Sequence, residues 1–185
     1  YPTETVYGLG VDASSDEPVA KVFKAKNRPL ENPISVAVDS IDMARKAIEM
    51  TKAAEALFEN FLPGPLTIVI KAKPTISELV TARTEKVGVR IPDHPVALKL
   101  IESFGKPITS TSANLSGRTP PATAEEALKQ LGESVEVALD SGECRIRTPS
   151  TVVDATLDRP KILRKGPIAA GEIEKVLRSG SRSVP

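Results

Sequence analysis

Tryptophan is absent from this sequence, and aromatic residues of all kinds make up only 3% of it. That scarcity argues against the base-stacking platforms on which single-strand nucleic-acid binders depend. The one cysteine, Cys144, cannot build an intrachain disulfide framework or a cysteine-rich zinc site. The one histidine, His94, leaves a histidine metal cluster or a Ser-His-Asp triad without support. It sits in Asp93-His94-Pro95, just before an expected helix, where capping is its simplest role. No apolar run is long enough to cross a bilayer, so no membrane partner is expected; a cytoplasmic location is a separate expectation. Charge of one sign is lacking too. The 25 Lys+Arg residues nearly balance 24 Asp+Glu, so any basic patch must be local. Neither Gly-x-x-x-x-Gly-Lys-Ser/Thr nor Gly-x-Gly-x-x-Gly occurs, so no P-loop or Rossmann nucleotide site is indicated.

What is present is an ordinary globular composition. The 185 residues, 40% hydrophobic and 26% charged, suit one domain with a sizeable core. Asp16-Glu17-Pro18 opens a helix with Val19, Val22 and Phe23 inward, stopping near Lys26-Asn27-Arg28-Pro29 because Pro29 disfavours a helical Arg28. Residues 34–38 read as a strand. Ala44, Ala47, Ile48, Ala54, Leu57, Phe58 and Phe61 then recur at helical spacing, as one helix ended by Pro63-Gly64-Pro65. Residues 66–72 and 86–91 read as strands, with Arg90 at the end of the second. Residues 95–104 read as a helix closed by Gly105. Thr123-Ala124-Glu125-Glu126 is a capping box for a further helix, ended by Gly132. Residues 135–139 read as a strand. Residues 150–154 and 160–164 read as an antiparallel pair turning at 157–159, and 171–178 as a last short helix. Strands alternating with helices give an α/β fold on one mixed sheet.

The polar stretches are the informative ones. In Pro107-Ile108-Thr109-Ser110-Thr111-Ser112-Ala113-Asn114-Leu115-Ser116-Gly117, a short buried strand is expected to run into a loop of hydroxyls and one amide. Lys26 and Arg28 lie two apart, and in an extended segment that spacing would put both on one face to clamp a polyphosphate. Thr3, Thr5, Asn32, Arg90, Ser150 and Arg164 add hydroxyls, an amide and cations at or near expected strand ends, where α/β sheets build ligand sites. This set has no nucleophile–base pair and no metal cage. It suits an anionic, phosphate-bearing substrate, positioned and stabilised by charge. Arg90 has a competing reading as a buried ion-pair partner of Asp93 or Asp154.

Tyr1-Pro-Thr-Glu-Thr-Val-Tyr-Gly-Leu-Gly10, Lys26-x-Arg28, Asn32-Pro33, Pro63-Gly-Pro-Leu-Thr67, Val89-Arg-Ile-Pro92, Ser112-Ala-Asn-Leu-Ser-Gly117 and Pro149-Ser-Thr-Val-Val-Asp154 together resemble the YrdC-like threonylcarbamoyl-AMP synthase family. The resemblance implies a single domain over 1–178, built on a twisted mixed sheet with flanking helices and a concave basic face. A leading strand would be missing upstream of Tyr1, and 179–185 would form a flexible tail. It implies synthesis of threonylcarbamoyl-AMP and pyrophosphate from L-threonine, bicarbonate and ATP with Mg²⁺. A threonylcarbamoyl transferase complex would then move the group to tRNA, and weak binding of tRNA or double-stranded RNA is conceivable for the basic face. By the same resemblance Lys26 and Arg28, the catalytic cations, meet the ATP phosphates. Asn32, Ser112, Asn114 and Arg164 also bind ATP, while Thr5, Arg90, Ser110 and Ser150 surround L-threonine. Some members carry a histidine near the threonine where this chain has Ala37. The competing functions are a carbamoyl-phosphate-dependent carbamoyl-adenylate-forming domain and a non-catalytic RNA-binding module.

Overall fold

The computed structural model describes residues 1–157 and 159–180, with the side chains of 179 and 180 outside that description. Eight strands and six α-helices alternate along the described chain. The strands are β1 (Gly8–Leu9), β2 (Val36–Ala37), β3 (Leu66–Lys71), β4 (Lys86–Arg90), β5 (Ile108–Thr109), β6 (Thr111–Ser112), β7 (Thr151–Asp154) and β8 (Lys161–Arg164). The helices are α1 (Asp16–Lys26), α2 (Ile41–Ala47), α3 (Lys52–Phe61), α4 (Pro95–Phe104), α5 (Ala124–Leu131) and α6 (Ala170–Gly180).

Six strands form the main sheet in the order β5-β2-β4-β3-β7-β8. The pairs β2–β4 and β3–β7 are parallel and the other three antiparallel, so the sheet is mixed as expected. β3 lies inside the sheet and is covered on both faces, which explains its nearly unbroken apolar run Leu66-Thr-Ile-Val-Ile70. Val19, Val22 and Phe23 of α1, Leu57 and Phe58 of α3 and Ile173 of α6 close on the same core. Each fully buried side chain of this size contributes about 1.5–3 kcal/mol.

Four sequence readings change. A single sheet was expected, but β1 and β6 pair antiparallel as a separate two-stranded sheet, Gly8 opposite Ser112 and Leu9 opposite Thr111. The expected long helix over 40–61 is two helices. Ile48 leaves α2 to bridge Ala72, and the Thr51 side chain caps α3 by accepting from Ala54 N. Residues 135–139 form no strand: a 3₁₀ turn at Gly132–Ser134 precedes them and Val137 is left 74% exposed. Alternating apolar residues alone do not make a strand when no edge lies beside them to pair with. The last helix runs to Gly180, past the expected end at 178, while 181–185 of the expected tail lie outside the described residues. Asp158, in the middle of the expected turn, lies outside them too. The β7–β8 pair itself is antiparallel.

Candidate functional site

The first group of polar residues gathers where α1 ends. Asn27 takes the left-handed conformation, φ 48°, and the N–H groups of Asn27 and Arg28 turn back to Lys24 O and Phe23 O. Lys26 is therefore the last helical residue and not part of an extended segment, so the pair converges through a helix cap and not through strand alternation. Lys26 is also buried, at 1% exposed. Its Nζ donates to Ser112 O and, at 2.6 Å, to Asn114 O. Ser116 N donates to Lys26 O at 2.8 Å, so the helix end and the loop after β6 are tied together. Burial, with the neighbouring Arg28 charge, pushes the Lys26 ammonium down to about 8. Arg28 is half-buried and lowered by burial as well; its guanidinium donates to Asn32 O and Pro33 O. Asn32 thus enters through its carbonyl, and its side chain stays exposed. Asn114 spends its amide on Leu115 O and Arg118 O at 2.8 Å each, leaving Oδ1 buried without a partner.

A second group forms around Arg90 at the end of β4. Nη1 donates to Thr5 Oγ1 at 2.9 Å and Nη2 to Glu4 Oε1 at 2.6 Å. Thr3 shapes the loop that brings these two residues in. Its hydroxyl donates to Val6 O and accepts from Thr5 N and Val6 N. Thr5 is fully buried. Arg90 is thus in a buried ion pair, but with Glu4. Asp93 pairs with Arg145 and Asp154 with Lys86 instead. Ser150 hydrogen-bonds Thr67 Oγ1 at 2.7 Å, and Arg164 donates to Ser150 O through both Nε and Nη2. The Arg164 guanidinium is lowered by burial and by the positive charge of Arg90. Arg164 thus meets Ser150, a residue matched to threonine, through both its carbonyl and its hydroxyl.

The segment from β5 to β6 runs from one group toward the other. Ser110 N donates to Ser35 O at 2.7 Å, and two residues on Ser112 accepts from Lys26. The Tyr1 phenol donates to Thr109 O at 3.2 Å; burial pushes its pKa up, while the Ser110 side chain and the charge of Arg90 oppose that shift. Ala37 is fully buried, opposite Arg90 on β4 and Ile108 on β5. His94 precedes α4 as expected but makes no capping bond; its Nε2 meets Ser141 Oγ at 3.1 Å. A separate, largely apolar cavity of about 490 Å³ lies between α1, β1, α5 and residues 134–139, and none of the ten candidate residues lines it.

Sequence reasoning missed Glu4, Thr67 and Tyr1 as members of the site. Glu4 had a signal: it is the one acid in the first ten residues, set between the hydroxyls of Thr3 and Thr5.

The comparisons with known proteins decide the family. The Sua5/YciO/YrdC family profile, described as "Telomere recombination", matches residues 1–166. The chain belongs to this family. A Pyrococcus abyssi protein named threonylcarbamoyl-AMP synthase is 40% identical over 178 residues, covering 96% of this chain and 52% of that protein. A Bacillus subtilis protein of the same name is 41% identical over 182 residues, again 96% and 52%. The chain therefore spans about half the length of these curated relatives. Among solved structures, P. abyssi Sua5 complexed with L-threonine matches with a TM-score of 0.91 at 40% identity, covering 95% of this chain and 52% of that one. Membership of the Sua5/YciO/YrdC family agrees with the mixed sheet and with the order of the motifs from Tyr1 to Asp154. No helix among the described residues is long and apolar enough to cross a membrane.

Proposed function

We propose that the chain forms L-threonylcarbamoyl-AMP and pyrophosphate from L-threonine, bicarbonate and ATP, supplying a transferase that modifies tRNA. The observation that carries this reading is the presence of two cation pairs of different setting, approached from either end of the hydroxyl-rich segment 109–112. Lys26 and Arg28, with no carboxylate partner among the described residues, suit the phosphates of ATP. Arg90, which donates to the Thr5 hydroxyl, and the linked hydroxyls of Thr67 and Ser150 beside Arg164 suit the carboxylate and polar groups of an amino acid. The P. abyssi structure with L-threonine supports that choice of amino acid.

In this reading the threonine amine takes up bicarbonate carbon as a carbamate, with loss of water. A carbamate oxygen attacks the α-phosphorus, and the bond to pyrophosphate breaks. Lys26 and Arg28 offset the charge that builds on the leaving pyrophosphate. Among the described residues no three His, Cys, Asp or Glu side chains gather into a group that could hold a metal. The Mg²⁺ ion would be carried on the nucleotide phosphates that Lys26 and Arg28 meet. The test is pyrophosphate release by the purified chain. Release that needs L-threonine and bicarbonate together is the expected result. Release with carbamoyl phosphate in place of both would favour carbamoyl-adenylate formation instead.

A further inference from the structure

The loop after β6 holds Lys26, and a side chain of α5 holds that loop. Lys26 Nζ donates to Ser112 O and Asn114 O, and Ser116 N donates back to Lys26 O. The position of the ammonium therefore depends on where residues 112–116 stand. Arg118 N closes a turn on Leu115 O at 3.0 Å, with Gly117 at φ 83°. Asn114 spends its amide inside that turn, on Leu115 O and Arg118 O. Two groups that flank the turn, Leu115 N and Thr119 O, go to Gln130. Its Oε1 accepts from Leu115 N at 3.2 Å, and its Nε2 donates to Thr119 O at 3.1 Å. An amide carries acceptor and donor on separate atoms, so it can take a backbone N–H and a C=O together. The helix under it is anchored independently. Thr123 caps the first turn of α5, the Glu126 carboxylate accepts from Ala122 N at 2.7 Å, and Leu131 beside Gln130 is buried.

We propose that Gln130 is a positioning residue for the ATP end of the site: its amide clamps the 115–119 turn to α5, and the clamped turn keeps the Ser112 and Asn114 carbonyls where they hold the Lys26 ammonium. Gln130 acts through the turn, since the hydrogen bonds its side chain makes among the described residues go to Leu115 and Thr119. A turn released from α5 opens locally more often, and each opening lets the two carbonyls and the ammonium separate. The contacts of Arg90 with Glu4 and Thr5 are made by a different loop, so the loss falls on ATP and not on threonine. The inference rests on the proposed function for the identity of the nucleotide.

Gln130→Met tests it, because methionine is unbranched like glutamine, favours helix equally and lacks both ends of the amide. Calorimetric titration should show ATP bound roughly 2- to 10-fold more weakly, the scale of one neutral hydrogen bond, with L-threonine affinity unchanged. Acetylation by acetic anhydride without nucleotide, mapped by mass spectrometry, reads Lys26 directly. Lys26 should label faster in the variant by a similar factor, about 2- to 10-fold. Lys99, on the surface of α4, should label at the wild-type rate. A merely structural loss would lower the thermal melt without separating ATP from threonine or Lys26 from Lys99. In a folded variant, equal labelling of Lys26 overturns the proposal, and so does an unchanged ATP affinity or an equal loss of ATP and threonine affinity. If Gln130→Met does not fold, Gln130→Glu decides. It keeps an acceptor for Leu115 N but offers Thr119 O no donor, so both readouts should move in the same directions; no change in either one overturns the proposal. A wild-type chain that binds no ATP refutes the proposed function separately. The labelling arm, which uses no nucleotide, then still decides whether Gln130 holds Lys26.

Discussion

Lys26 is a buried cation held by two carbonyls, with no acid partner among the described residues, and that setting makes it sensitive to pH. Its pKa of about 8 lies below the ordinary lysine value of about 10.4. The unfolded chain therefore binds more protons than the folded one between those two values. The cost of burying the charge is present below pH 8 and is relieved as pH rises through the window, so alkali does not loosen the fold through this group. ATP binding should behave oppositely. The dissociation constant is expected to be flat below neutrality and to rise by about tenfold per pH unit well above 8, as the ammonium is lost. A flat titration of ATP affinity up to pH 9.5 would remove Lys26 from the phosphates. Arg28→Ala should weaken ATP by roughly 10-fold or more, the loss of a charge-assisted bond of about 1.5–3 kcal/mol. Its thermal melt should stay close to wild type, because the hydrogen bonds of the Arg28 guanidinium among the described residues go to the Asn32 and Pro33 carbonyls of its own loop. Arg90→Lys keeps the charge opposite Glu4 but cannot reach Glu4 and Thr5 as a rigid fork. Threonine affinity should fall about 10- to 100-fold with ATP binding retained, and calorimetry with each substrate alone separates the two.

At the scale of elements, the turn after β8 holds Ser150 and Arg164 in place by close backbone approach. A methyl group on Gly166 would land on Thr151 N, with Ser150 C at 2.7 Å and Pro149 O at 2.8 Å. All three are backbone atoms, so the strand start must move. Gly166→Ala should therefore weaken threonine binding more than ATP binding, which a pair of titrations will show; equal losses would mean that the turn supports the whole site. Legibility in the sequence divides along similar lines. The two-stranded pair β7–β8, the capping box of α5 and the β3 run were readable because local chemistry fixes them. The break between α2 and α3 was hidden, since Ile48 and Ala47 continue the apolar period through it and only the Ile48–Ala72 bridge forces the chain out. The strand expected at 135–139 failed for the opposite reason: its alternation is real, but pairing is a long-range property. Within the site, residue types were legible and partners were not. Nothing local to Arg90 names Glu4, which is 86 residues away and arrives through the turn built by Thr3.

The described chain is a main sheet and a small two-stranded one, with the proposed chemistry at polar strand ends and loops and the apolar faces carrying the stability. Leu57 is fully buried in the same core as Ile68, Ile70 and Phe58. Leu57→Ala should cost about 2–5 kcal/mol in denaturant unfolding, with substrate affinities of the remaining folded protein close to wild type. A loss of affinity without a loss of stability would place Leu57 in the site and contradict this division. The two substrate groups meet only if one chemical product joins them, so product identity is the most direct measurement. The purified chain, given L-threonine, isotopically labelled bicarbonate, ATP and Mg²⁺, should yield by mass spectrometry an adenylate that contains both threonine and the labelled carbon. Pyrophosphate formed with no such adenylate, or an adenylate lacking the labelled carbon, would contradict the assignment of Lys26 and Arg28 to ATP and of Arg90 to threonine within one reaction.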